Sequence, residues 1–173
     1  MKMRKTAVVC LAGMLAFTIW GCEKEDNSEK NSREIAKAES TGAGKYCYEY
    51  ENQKVYITQP IEEAVEILGE DYEYFEAPSC ASEGVDMFYY YQNITLMANE
   101  KNDEKIVTQI YFKNDTVSTP EGIRINSSYA DVVNQYGSDY TMNGTALEYS
   151  EGSTLLVIDV RDGKVVSIEY EYK

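Results

Sequence analysis

Two stretches of the chain resemble each other and decide the fold that the sequence predicts. They are VYITQPIEEAVEILGEDY, residues 55–72, and IRINSSYADVVNQYGSDY, residues 123–140. In both stretches apolar residues recur at the spacing i, i+3, i+4, i+7, which lines one face of a short helix. Gly69 and Gly137 stand at the same place in the two copies, where a helix ends easily in a left-handed conformation. The sequence therefore predicts two short helices, 68 positions apart, as parts of a tandem repeat.

Segments typical of strands follow each predicted helix. They carry β-branched and aromatic residues, and the last of them alternates apolar and polar side chains. The segment Phe75–Asp86, FEAPSCASEGVD, is interpreted as an insert of the first copy, and Lys45–Glu51 as a strand ahead of it. The other predicted strands are Met87–Tyr91, Ile94–Ala98, Ile106–Phe112, Ala146–Tyr149, Thr154–Val160 and Val165–Tyr172.

The predicted fold class is α+β. Two tandem helix-plus-antiparallel-strand repeats are expected to form one sheet, with both helices on one face. The folded domain is predicted to span residues 45–173, with the first repeat at 53–119 and the second at 120–173.

The first 44 residues are predicted to export and anchor the protein. A positively charged start precedes the apolar run AVVCLAGMLAFTI, residues 7–19, which suits a signal peptide better than a membrane span. The motif Ile19-Trp20-Gly21-Cys22 resembles a bacterial lipobox, although Trp20 departs from the small or aliphatic residue usual there. That resemblance implies a signal peptide over 1–21, lipid attachment to Cys22, and a flexible polar tether over 22–44. The alternative is an ordinary signal peptide in which Cys22 occurs by chance.

Composition narrows the range of functions. The chain has 173 residues, a formal net charge of −14 and no histidine. The absence of histidine excludes catalytic triads and zinc sites that depend on it. The negative charge argues against a nucleic-acid partner, whose phosphates would repel the protein. No cofactor, no metal and no catalytic residue are predicted, and adjacent carboxylates such as Glu169 and Glu171 are interpreted as solvated faces.

Two cysteines remain in the predicted domain, Cys47 and Cys80. An even pair in an exported chain favours a disulfide, which would fix the insert to the N-terminal strand. Two buried thiols, or a reactive thiol at Cys80, are the alternatives.

Tyrosine is unusually frequent, with 16 residues. On a strand, the rings of Tyr89, Tyr90 and Tyr91 point alternately to opposite faces of the sheet. We therefore expect Tyr90, with Tyr111 nearby, to form a candidate binding surface, because exposed tyrosine suits recognition. The alternative is that tyrosine simply suits half-buried strands.

The segments APSCASEG and TPEGI, with the Tyr-Gly before Ser-Asp-Tyr, resemble a group of lipid-anchored proteins from clostridial-type bacteria. The layout also resembles tandem-repeat domains similar to beta-lactamase inhibitor protein. This resemblance covers residues 53–172 and implies protein binding without naming a target, because fold does not carry function.

The function expected from these features is that of a non-enzymatic, lipid-anchored binding module on the cell surface. Its tyrosine-bearing sheet face is expected to contact a protein partner, with a glycan less favoured. The alternatives are an envelope hydrolase that uses a carboxylate pair and a structural envelope lipoprotein.

Replacing Cys22 with alanine should abolish lipid attachment, since the thiol is the acceptor that the lipobox requires. Cells fed a fatty-acid probe should label the wild-type protein, and Cys22→Ala should lose the label and either leave the membrane or stay uncleaved. Equal labelling and equal membrane retention of the variant would contradict the prediction.

Overall fold

The computed structural model of the chain describes residues 46–80, 84–101 and 103–173. The helices are α1, Ile61–Leu68, and α2, Tyr129–Tyr136. The strands are β1 Cys47–Tyr50, β2 Gln53–Tyr56, β3 Glu73–Pro78, β4 Val85–Tyr90, β5 Ile94–Lys101, β6 Glu104–Phe112, β7 Thr141–Asn143, β8 Ala146–Glu151, β9 Thr154–Arg161 and β10 Lys164–Tyr172. Eight strands form one antiparallel sheet in the order β3-β4-β5-β6-β10-β9-β8-β7, and β1 and β2 form a separate antiparallel hairpin.

The predicted α+β class is wrong, because the described chain is mostly β. The two helices have only eight residues each, whereas the larger sheet has eight strands. The prediction of two helix-plus-strand repeats forming one sheet is wrong as well. Gln53–Tyr56, assigned to the first repeat, pairs instead with β1 in the separate hairpin. The strand Glu73–Pro78 begins before the predicted insert Phe75–Asp86 and runs into it, so the sheet is larger than predicted.

Local sequence explains where each helix begins and ends. Pro60 precedes α1 with φ −55°, a value that its ring fixes in advance. Ser128 starts α2 with a capping box, in which its hydroxyl accepts from the Asp131 N–H at 3.1 Å and the Asp131 carboxylate accepts from the Ser128 N–H at 3.0 Å. Gly69 and Gly137 end the helices with φ +83° at each, a region that costs glycine little.

The start of each helix is also tied to a strand of the large sheet by backbone hydrogen bonds. The Thr58 N–H donates to the Val107 carbonyl at 2.8 Å, and the Val107 N–H donates to the Gln59 carbonyl at 2.9 Å. Ahead of α2, Asn126 and Ser127 make the same two bonds with Val165, each at 2.9 Å. These bonds fix the helices against β6 and β10.

Tyrosine hydroxyls hold the opposite ends of the helices. The Tyr91 hydroxyl donates to the Gly69 carbonyl at 3.0 Å, and the Tyr149 hydroxyl donates to the Gly137 carbonyl at 3.0 Å. Carbonyls at a helix end lack partners within the helix, so these bonds satisfy groups that burial would otherwise leave unpaired.

The core lies on one face of the large sheet and crosses the junction between β6 and β10. Ile110 and Phe112 on β6, with Ile168 and Tyr170 on β10, are each at most 1% exposed. The Phe112 ring meets the Tyr170 ring edge to face, with centroids 5.9 Å apart. Tyr48 of the small hairpin packs on the same Phe112 ring at 5.6 Å, so the hairpin covers this junction.

The predicted Cys47–Cys80 disulfide is absent, and both cysteines are free thiols. Cys47 is buried in β1 of the small hairpin, whereas Cys80 is exposed beyond β3 at the edge of the large sheet. The two residues therefore lie in different parts of the fold and in different environments. Burial raises the pKa of the Cys47 thiol to about 11, which keeps it protonated and unreactive at neutral pH. The predicted signal peptide, Cys22 and the tether lie outside the described residues.

Truncating Ile168 should destabilise the protein strongly, because its side chain is fully buried in a central strand. We expect Ile168→Ala to lower the unfolding free energy by about 2–5 kcal/mol. Val166 lies on the same strand but is 39% exposed, so Val166→Ala should change the unfolding free energy by no more than about 0.5 kcal/mol. Urea unfolding followed by tyrosine fluorescence measures both, and equal losses would contradict this account of the core.

Candidate functional site

The large sheet has a core face and an outer face, which strand alternation separates cleanly. On β4, Met87 and Tyr89 are buried on the core face, whereas Tyr90 is 39% exposed. Successive side chains of a strand point to opposite faces, so Phe88 and Tyr90 belong to the outer face. The outer face is here defined as the face of the eight-stranded sheet opposite the core.

Residue pairing extends this assignment across all eight strands. Residues directly opposite each other on neighbouring strands share a face. Tyr90 pairs with Thr95, and Thr95 pairs in turn with Tyr111, so the two tyrosines flank one small side chain. The complete outer row runs Glu73, Tyr90, Thr95, Tyr111, Glu169, Val157, Glu148 and Thr141.

Four aromatic side chains make up what we call the aromatic band: Phe75, Phe88, Tyr90 and Tyr111. Phe75 and Phe88 pair directly, with ring centroids 5.9 Å apart, and Phe88 stacks on Tyr90 at 6.1 Å with an interplanar angle of 11°. Phe75 is 54% exposed and Tyr111 is 38% exposed. Within the part of the chain that the structure describes, the band is therefore left open to solvent.

Beside the aromatic band, on β10, lies what we call the acidic pair, Glu169 and Glu171, which stand in two neighbouring rows of the outer face. Glu169 lies directly opposite Tyr111, and Glu171 lies directly opposite Gln109. The Gln109 side-chain amide donates to both carboxylates, at 2.8 Å to Glu169 and 3.2 Å to Glu171. Burial, followed by the neighbouring Glu171 carboxylate, raises the pKa of Glu169 above its usual value. The two carboxyl groups are thus held side by side on the outer face, next to the exposed Tyr111 ring.

Many of the other tyrosines serve the fold. Tyr72 packs against Tyr89 and Tyr91 at centroid distances of 5.0 and 5.4 Å on the core side of the sheet. The Tyr136 hydroxyl donates to Glu121 at 2.6 Å. These tyrosines therefore fit the alternative explanation, that tyrosine suits half-buried positions in the fold. Tyr90 and Tyr111 differ from them because they lie on the outer face.

The sequence placed Tyr90 and Tyr111 together but missed the two phenylalanines. Phe88 precedes Tyr90 by two residues, so strand alternation already contained the signal for it. Phe75 lies in the predicted insert, and only its pairing with Phe88 brings it onto the outer face.

A second acidic region lies at the start of α1 and the β5–β6 turn. It is a depression lined by Pro60, Glu62, Glu100, Asp103, Glu104 and Lys105. Among the described residues no group of cysteine, aspartate and glutamate side chains is arranged to hold a metal ion.

Removing the charge of Glu169 should change how stability depends on pH. Burial and the neighbouring Glu171 carboxylate raise the pKa of Glu169 in the folded chain, so the folded state holds this proton more tightly than the unfolded state does. The contribution of Glu169 to the unfolding free energy is therefore largest at low pH and falls as pH rises through the raised pKa.

We expect Glu169→Gln to reduce this decrease in unfolding free energy, so that the variant gains stability relative to wild type as pH rises from 4 to 7. Glu104→Gln, on an exposed strand end, serves as the control. Parallel stability curves for wild type and Glu169→Gln, from urea unfolding at each pH, would contradict the prediction.

Comparisons with known proteins find no relative of this chain. No helix within the described ranges is long and apolar enough to span a membrane. No family model, no curated protein and no solved structure matches the chain, so the resemblance to clostridial-type lipoproteins stays a prediction.

Proposed function

We propose that the protein is a lipid-anchored, extracytoplasmic binding module that contacts a protein partner through its outer face. The observation that carries this proposal is the aromatic band, whose four rings stand in two neighbouring rows of the outer face. Three of them, Phe75, Tyr90 and Tyr111, are between 38% and 54% exposed. Burying exposed aromatic surface is a main source of binding free energy at protein interfaces.

The shape of the surface favours a protein over a small ligand. Small-molecule sites are concave and enclose most of their ligand, whereas the aromatic band lies across neighbouring strands of an open sheet. The rings of Phe88 and Tyr90 are also fixed in position before any partner binds, because β4 is paired on both sides and Phe88 stacks on Tyr90. A preorganised face loses little side-chain entropy on binding, which leaves more of the burial energy as affinity.

The proposed lipid anchor at Cys22 determines the cellular compartment in which the partner lies. A lipid on Cys22, followed by a polar tether, holds the folded domain near the outer surface of the cell membrane. The partner is then a protein of the envelope or the extracellular space. A glycan, an envelope hydrolase activity and a purely structural role remain as outcomes of the test.

Photo-crosslinking on intact cells tests the proposed surface. A photo-reactive phenylalanine analogue is placed at Tyr90, at Tyr111 or at Tyr50. Tyr50 is the matched control, since it is 38% exposed, like Tyr111, but lies on the small hairpin. We expect one protein to be captured from positions 90 and 111 and not from position 50.

The affinity of the purified partner for each variant then measures how much each ring contributes to the binding free energy. We expect Tyr90→Ser and Tyr111→Ser each to weaken binding by about 2 kcal/mol, the scale of an interface hot spot. Tyr50→Ser should have no effect. Equal capture from all three positions would contradict the proposal, as would turnover of a wall substrate that a single carboxylate substitution abolishes.

A further inference from the structure

The strand β3 forms one edge of the eight-stranded sheet and is paired on one side only. Its neighbour is β4, and within the described residues no strand lies along its other side. Tyr74, on the core face, is 48% exposed, and Phe75, on the outer face, is 54% exposed, so neither face of β3 is covered. The opposite edge strand, β7, has only three residues, whereas β3 has six. The edge of β3 is therefore the longer template for pairing with another strand.

The register of β3 on β4 determines which backbone groups point away from the sheet. The Ser79 N–H donates to the Gly84 carbonyl at 3.1 Å and continues the register of the two strands. Antiparallel strands bond through every second residue, so the odd-numbered residues of β3 bond β4. The N–H and C=O groups of Tyr74 and Glu76 consequently point outward. Pro78, at the end of the strand, has no N–H to offer and limits the length of any added ladder.

We propose that β3 pairs with β3 of a second copy of this chain, antiparallel and across a two-fold axis at Phe75. The outward N–H groups of Tyr74 in each copy then donate to the carbonyl of Glu76 in the other copy, and those of Glu76 donate to Tyr74. Because the same edge is used by both copies, the contact closes on itself and forms a dimer. The dimer goes beyond the binding partner proposed above and does not depend on it.

The side chains of β3 favour this register over the neighbouring ones. With Phe75 at the axis, each glutamate lies opposite an uncharged residue of the second copy. Glu73 lies opposite Ala77. Glu76 lies opposite Tyr74, whose hydroxyl already bonds the Glu76 carboxylate of its own chain at 2.6 Å. An axis at Glu76 would set two carboxylates directly opposite each other, and an axis at Tyr74 would separate the two Phe75 rings.

The phenylalanine rings give the dimer an apolar centre. The two Phe75 residues form a pair without hydrogen bonds between them, the type in which Cα atoms are about 4.5 Å apart and side chains lie closest. Phe75 already contacts Phe88 with ring centroids 5.9 Å apart, so the Phe75 and Phe88 rings of both copies stand in one row. Cross-strand aromatic pairs stabilise a sheet. The outer faces of the two copies lie on the same side, and their aromatic bands join into one surface.

Net charge sets the conditions under which the dimer forms. Each copy carries a formal net charge of −14, so two copies repel each other. Added salt screens this repulsion but leaves backbone hydrogen bonds and ring contacts in place. We therefore expect more dimer in about 0.5 M sodium chloride than in about 0.05 M.

Disulfide trapping tests both the dimer and its register. Cys80→Ser first removes the exposed thiol, and full chains that carry Glu73→Cys or Ala77→Cys in this background are then mixed and oxidised. Directly opposite residues of this pair type lie within reach of a disulfide, which needs Cα atoms about 4.4–6.8 Å apart. We expect a disulfide from position 73 of one chain to position 77 of the other, and none between identical positions. Mass spectrometry of the crosslinked peptides identifies the bonded positions.

Two substitutions at Glu76 separate edge pairing from loss of charge. Glu76→Pro and Glu76→Thr both remove the carboxylate, but only proline removes the outward N–H. Because this N–H does not bond β4, an edge strand tolerates proline here, and urea unfolding checks that the fold is kept. We expect Glu76→Pro to lower the yield of the disulfide about tenfold, through the loss of one hydrogen bond from each copy. Glu76→Thr should keep the yield within about twofold.

Equal yields from Glu76→Pro and Glu76→Thr would overturn the proposal. So would the absence of an interchain disulfide at both salt concentrations, or disulfides between identical positions only. Capture of a protein from Tyr90 and Tyr111 without any interchain disulfide would overturn the dimer alone. An interchain disulfide with no protein captured from those positions would support the dimer and not the partner.

Discussion

The pairing of β6 with β10 is the constraint on which the rest of the structure depends. It joins two four-stranded halves, and it does so through three paired positions, Gln109–Tyr111 with Glu169–Glu171. On the core side of these strands lie Ile110 and Tyr170, which are fully buried. On the outer side lie Tyr111 and Glu169. One short junction therefore closes the core and also creates the place where ring and carboxylate meet.

Backbone bonds between strands and helix starts limit how this junction can move. Val107 on β6 and Val165 on β10 each exchange two hydrogen bonds with the segment that leads into a helix. The same helices are held at their other ends by Tyr91 and Tyr149. A short helix is unstable alone, so these bonds and the buried helix faces keep it in place. The outer face is consequently presented on a rigid support, as the proposed recognition surface requires.

The tyrosines divide into those that stabilise the core and the two, Tyr90 and Tyr111, that we propose for binding. On β4 the division follows from alternation alone, because Tyr89 must face the core if Tyr90 faces outward. Buried hydroxyls such as that of Tyr91 find a carbonyl partner, which lets tyrosine fill a core without leaving a polar group unpaired. The exposed rings gain nothing comparable from folding, and their clustering with two phenylalanines is what favours a binding role.

The sequence by itself determined the two helices, their terminal glycines and the outward direction of Tyr90, because these depend on local periodicity and on backbone preferences of single residues. It did not determine the fold class, since helical periodicity is conspicuous even in an eight-residue helix, whereas strands such as Glu73–Pro78 lack a pattern that marks them. The predicted disulfide between Cys47 and Cys80 is also wrong, because the number of cysteines carries no information about how far apart two of them lie in the fold. Only the tertiary structure brought Phe75, Tyr111 and Glu169 onto one surface, since strand pairing joins residues that lie up to about a hundred positions apart in the chain.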